Sequence, residues 1–172
     1  MDASRRISPS LQTPGRRAFS LVEMLLVLVI MAVMAAVAIP RFSSAEARHR
    51  VEAAARRVAA DLDLARQRAR AAGANRSVIF NPGAARYRLP GVAHPDRPGS
   101  PDDYTVELGQ APYGAAITAV DFGGDAAIVF DGFGTPDSGG SVTIRVGRYA
   151  QTVTVDAGTG NATVPGAPTA VN

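Results

Sequence analysis

One carboxylate interrupts an otherwise uncharged apolar run. From Phe19 to Ile39 the chain is built of Phe, Ser, Leu, Val, Ile, Met and Ala, and Glu23 is its only charged residue. As a helix rising ~1.5 Å per residue this run is roughly 31 Å long, enough to span the hydrocarbon core of a bilayer. An acid placed there costs roughly 2.5–3.5 kcal/mol on insertion scales, so something must offset that cost.

Charge along the chain fixes an orientation. Residues 1–18 carry Arg5, Arg6, Arg16 and Arg17 against Asp2, a net +3. Residues 41–72 carry eight arginines against four acids, +4, and residues 73–172 six against nine, −3. The basic excess therefore lies in the leader and in the segment after the apolar run. Positive charge ahead of the run predicts a cytoplasmic N-terminus and a head on the far side of the membrane. With no cysteine in the chain, disulfides, thiolate metal sites and thiol nucleophiles are all excluded.

The pattern divides the chain into a polar leader (1–18), a transmembrane or assembly helix (19–39), an amphipathic stalk helix (40–72), a β-rich periplasmic head (73–164) and a flexible tail (165–172). Pro40 predicts a kink, because it removes a helical hydrogen bond. Beyond it Ala47, Val51, Ala54, Val58, Leu62, Ala65, Ala69 and Ala72 recur at steps of three and four, an apolar stripe on one helix face. Arg48/Glu52 and Arg57/Asp61 are spaced as surface ion pairs, and Gly73 is placed as a C-terminal stop. From Ser77 onward short β-type runs predict strands at Val78–Asn81, Arg86–Leu89, Tyr104–Leu108, Ala116–Phe122, Ala127–Phe130, Val142–Val146, Tyr149–Val155 and Ala162–Val164. Alternation in Val142–Val146 marks a half-buried strand, and Gly147-Arg148 fits a two-residue hairpin turn. Strands without intervening helices predict an α+β fold: a long N-terminal helix packed on antiparallel sheets forming a sandwich.

The segment Ala18-Phe19-Ser20-Leu21-Val22-Glu23-Met24 resembles the processing site of type IV pilins and of the pseudopilins of type II secretion. The resemblance implies that prepilin peptidase cuts between Ala18 and Phe19 and methylates the new Phe19 amine. Glycine usually stands in that family where this chain has Ala18. Pro40 sits where pilins commonly keep a kinking proline. Ile128-Val129-Phe130, Gly132, Gly134 and the late Thr159-Gly160 turn resemble the GspH/FimT branch, the H-type minor pseudopilins, with Asn161 in place of an arginine often found there. The implied function is a minor pseudopilin subunit of a type II secretion pseudopilus. Its implied partners are prepilin peptidase, the inner membrane and other pseudopilins or pilins. Glu23 of one subunit would then pair with the methylated amine of the next, two charges that tolerate low dielectric only together.

Other readings compete on particular residues. A FimT-like minor type IV pilin, in pilus assembly or DNA uptake, shares the same scaffold. Only Arg145 and Arg148 fall in the late segment that such a DNA binder would use, and the head is net negative, so nucleic acid is not expected as a partner. Arg16-Arg17 with Ala36-Val37-Ala38 also fits a cleaved export signal releasing a soluble periplasmic β-domain. The aspartates Asp102, Asp103, Asp121, Asp125, Asp131 and Asp137 match no calcium loop, and turn-forming roles are expected of them. His49 and His94 have no carboxylate clustered in sequence and read as surface residues. No nucleophile–base pattern is present. The chain is read as non-enzymatic, without metal or cofactor.

Overall fold

The computed structural model describes residues 20–94 and 103–171, with side chains throughout except at 36–43. Ala18 and Phe19 lie outside the described residues. The chain divides into two units, Met1–Pro40 and Arg41–Asn172.

Helix α1 spans Leu21–Ala72. In the first unit its apolar side chains are exposed all round, from Leu21 (86%) to Met34 (68%). Among the described residues no helix is long and apolar enough to cross a membrane; the described side chains of this unit end at Ala35. In the second unit the expected stripe is buried. Val51, Ala54, Val58, Leu62, Ala65 and Ala69 are fully covered, with Ala55 beside them, while Ala72 is exposed. The helix ends where Gly73 takes φ +56°. The Gly73 amide donates to Arg70 O (3.3 Å) and that of Ala74 to Ala69 O (3.2 Å), the paired bonds of a Schellman motif.

Nine strands follow: β1 (Arg76–Asn81), β2 (Arg86–Pro90), β3 (Asp103–Glu107), β4 (Ala116–Phe122), β5 (Ala127–Phe130), β6 (Gly140–Val146), β7 (Tyr149–Val155), β8 (Ala162–Thr163) and β9 (Thr169–Ala170). They form two antiparallel sheets. One has the order β3-β2-β1-β5; the other runs β4-β6-β7-β8, with β9 also paired to β7. The predicted α+β class with antiparallel sheets is thus observed. Alternation puts Val78, Phe80, Tyr87, Leu89, Ile128 and Phe130 of the first sheet into one apolar core with Phe122, Val142, Ile144, Val153 and Val155 of the second, and the buried helix stripe joins them. Phe80 stacks on Phe122 at 5.7 Å between ring centroids, linking the two sheets. The β6–β7 turn is the two-residue Gly147-Arg148 connection, with Gly147 at φ +56°.

Two expectations are corrected. The segment 165–172, expected as a flexible tail, carries β9, where Tyr149 pairs with Ala170 and Ala150 with Thr169. The Val171 amide also donates to Arg148 O (2.7 Å), and the buried Gln151 amide donates to Pro165 O (3.0 Å). The spare edge of β7 draws the tail in, because unpaired strand groups favour any available partner. Glu52 pairs with Arg56 (2.6 Å), one turn on, not with Arg48. Arg57/Asp61 does form, but as a buried junction.

Candidate functional site

Ser20, the first described residue, caps α1. Its hydroxyl oxygen accepts from the Val22 amide (3.3 Å) and its carbonyl from Met24 N (3.1 Å). Glu23 therefore falls in the first turn of the helix, the third helical position after the cap. Unsatisfied N–H groups and the positive end of the helix dipole favour an acid there. Ser20-Leu21-Val22-Glu23 has the Ser-x-x-Glu spacing of a capping box, a signal present in the sequence that the membrane reading passed over. Glu23 is exposed, on a helix whose whole described first unit offers apolar side chains and no other charge. The predicted kink residue, Pro40, ends that unit. Of the predicted site residues, Glu23 alone has a described side chain.

In the second unit the helix is tied to the first sheet by one buried carboxylate. Asp61 is 5% exposed. Its Oδ2 accepts from the Tyr87 hydroxyl (2.5 Å), the Tyr104 hydroxyl (2.9 Å) and Arg57 Nε (3.1 Å). Arg57 also donates to the Tyr104 oxygen and lies 5.8 Å from the ring centroid. Burial, then the Asp61 charge, pushes the Tyr87 pKa well above its ordinary value. Burial does the same for Tyr104. Burial opposes the Arg57 charge, but the bond to Tyr104 and the attraction of Asp61 outweigh it and raise that pKa. His94, expected as a surface residue, packs edge-on to the Tyr104 ring at 4.9 Å. The three donors to Asp61 Oδ2 come from the helix and the first sheet, so the cluster holds one against the other.

A second junction closes at the C-terminal end of the helix. Arg70 Nε donates to Phe133 O (2.8 Å) and Arg66 Nη1 to Thr159 O (2.8 Å). The glycines there make the approach possible. A Cβ on Gly132 would lie 2.7 Å from the Gly73 carbonyl carbon, and one on Gly160, at φ +67°, would lie 3.0 Å from the Gly134 oxygen. The loops are braced by aspartates in turn-forming roles. Asp131 Oδ1 accepts from Phe133 N (2.9 Å) and Thr135 N (2.8 Å); Asp156 Oδ1 accepts from Thr159 N (2.7 Å) and Gly158 N (3.1 Å). Asp121 and Asp137 likewise accept backbone amides, from Gly124 and Val129. Among the described residues no cluster suited to a metal ion occurs. Phe130, Gly132, Gly134 and Thr159-Gly160, separate in sequence, therefore meet at one end of the helix. Phe133 stands out from this braced loop, 84% exposed.

Two family models match the chain. The model described as type II transport protein GspH covers residues 54–160, and the prokaryotic N-terminal methylation motif covers residues 14–39. The first match takes in both junctions of helix and sheet; the second takes in Ala18, Phe19 and Glu23. No curated protein and no solved structure matches.

Proposed function

The chain belongs to the GspH family of type II transport proteins, a pseudopilin with a type IV pilin-like methylation motif, and from that premise we propose that it is a minor subunit of a type II secretion pseudopilus, made as a prepilin. Residues 1–18 form the cytoplasmic leader. Prepilin peptidase cuts between Ala18 and Phe19 and methylates Phe19. Residues 19–39 hold the subunit in the inner membrane, and then pack against other pseudopilins as the filament grows. Residues 40–72 form the stalk and carry the β-rich head in the periplasm.

The observation that carries this reading is the first unit of α1. Its apolar side chains are exposed on every face, and a helix apolar all round is stable only inside a membrane or a larger apolar assembly. The one acid, Glu23, lies in the first turn, four residues after Phe19, whose amine cleavage would expose. In a neighbouring subunit that amine is the partner that offsets the cost of the buried carboxylate, and the pair sets the axial register of one helix on the next. No catalytic step is assigned: Asp61, Tyr87, Tyr104 and Arg57 hold helix to sheet.

The experiment is to express Glu23→Ala with the other pseudopilins of the same machine. Cleavage should proceed and incorporation should fall at least tenfold, the loss expected on breaking one buried charge pair. Normal incorporation of the variant refutes the pairing. The minor type IV pilin reading, including DNA uptake, has one observation in its favour: Arg145 and Arg148 stand together at the β6–β7 turn. Salt-dependent DNA binding by the whole chain would establish it.

A further inference from the structure

The two edges of β7 are filled differently. β6 pairs with all seven of its residues, from Gly140↔Val155 to Val146↔Tyr149. On the other edge β8 supplies Val155↔Ala162 and Thr154↔Thr163, and β9 supplies Ala150↔Thr169 and Tyr149↔Ala170. The end pairs set nine residues, 162–170, against seven of β7, an excess of two. β8 and β9 are therefore one strand broken by a bulge, and Gln151, Thr152 and Val153 face the break. The residues of the break, Pro165-Gly166-Ala167-Pro168, account for it. Neither proline has an N–H to give a ladder, and Gly166 turns at φ +65°.

This segment is lightly held. Both residues of β9 are exposed, and no described side chain beyond Val164 joins the core. Gln151 stands in for the missing ladder: its amide donates to Pro165 O (3.0 Å) and Gly166 O (3.4 Å). Its own Oε1 is buried and, among the described residues, receives no hydrogen bond. Such an acceptor costs free energy until a donor reaches it. A straight strand would supply what the bulge lacks, backbone pairs at Gln151, Thr152 and Val153 and a donor for Oε1. We propose that this edge of β7 is a strand-addition site, taken by an extended segment of another polypeptide that displaces residues 162–170.

The edge sets the partner's chemistry. Gln151, Val153 and Val155 are buried, while Ala150, Thr152 and Thr154 are not. Directly opposed residues share a face. The partner therefore runs antiparallel to β7, contains no proline, and alternates apolar or amide side chains facing in with polar ones facing out. The opposite edge of this sheet, β4, is not equivalent. Its register breaks between Ile117 and Ala119, within the strand itself, so its guard cannot leave.

The test uses the full chain in detergent micelles and a fluorescein-labelled peptide, Ala-Thr-Val-Thr-Gln-Thr-Ala. This is the chain's own 162–170 with residues 165–168 replaced by Thr-Gln, which removes the excess of two and sets an amide opposite Gln151. Deleting residues 162–172 should tighten its binding, read by fluorescence polarisation, by roughly tenfold, the factor to which one or two lost competing hydrogen bonds convert. The chain lacks cysteine, so Ala150→Cys/Thr169→Cys gives one cross-strand disulfide tying β9 to β7. Oxidised, this variant should not bind the peptide; reduction should restore binding without any deletion. A peptide that keeps Pro-Gly-Ala-Pro should bind roughly tenfold more weakly. Equal binding by the oxidised and reduced forms, or of the two peptides, overturns the proposal. Self-association of the shortened chain in place of peptide binding overturns the choice of partner.

Discussion

Asp61 shows how much a single residue can hold. Its carboxylate joins two tyrosines from the first sheet to an arginine one helical turn away, and it is almost wholly buried. Removing it leaves Arg57 and two hydroxyls without their acceptor. Asp61→Ala should therefore destabilise the head by about 3 kcal/mol, read by urea denaturation; a loss below ~0.5 kcal/mol would mean that the junction is incidental. The tyrosines carry a sign as well. Their folded pKa values lie above the ordinary 10.0. The neutral hydroxyls therefore contribute stability that is complete below pH ~10 and is lost as pH rises through the folded values. Tyr87→Phe/Tyr104→Phe should flatten that alkaline decline. Gly132 is the steric counterpart. A Cβ there meets the Gly73 backbone, which cannot swing aside, so Gly132→Ala should lower stability by about 1–3 kcal/mol in the same assay. None of this was visible in sequence. Arg57/Asp61 has the spacing of an ordinary surface pair, and nothing local indicates that Tyr87 and Tyr104, 26 and 43 residues from Asp61, arrive at the same oxygen.

At the scale of elements, periodicity was informative where it had room to repeat. The stripe from Val51 to Ala69 and the alternation in β6 predicted faces that are buried as expected. β9 is two residues long and shows no period. The prolines and glycine ahead of it read as a loose tail, and only the open edge of β7 decides otherwise. Ser20 and Glu23 were legible in principle as a helix start, but the apolar run around them drew the reading to the membrane. If β9 is held as described, the Val171 amide, bonded to Arg148 O, should exchange with solvent at least about tenfold more slowly than in a free chain. Exchange at the free rate would detach the tail from the sheet.

For the whole molecule, the two units make opposite demands. The described residues of 41–172 build a core of their own, with helix and both sheets in one cluster. The described part of the first unit exposes its apolar side chains, and its acid lies in the first turn of the helix. That division is what a subunit needs if its head is to be carried intact while its helix moves from membrane to filament. In the proposed function it depends on a cut that would create the partner of Glu23. Bulk or charge at the cut should prevent it, and Ala18→Arg should leave the full-length precursor in the membrane, seen as an unshifted band. The most direct measurement is the mass of the mature N-terminus, taken from the chain coexpressed with prepilin peptidase. The account predicts a polypeptide beginning at N-methylated Phe19; one beginning at Ile39, or an uncleaved one beginning at Met1, would contradict it.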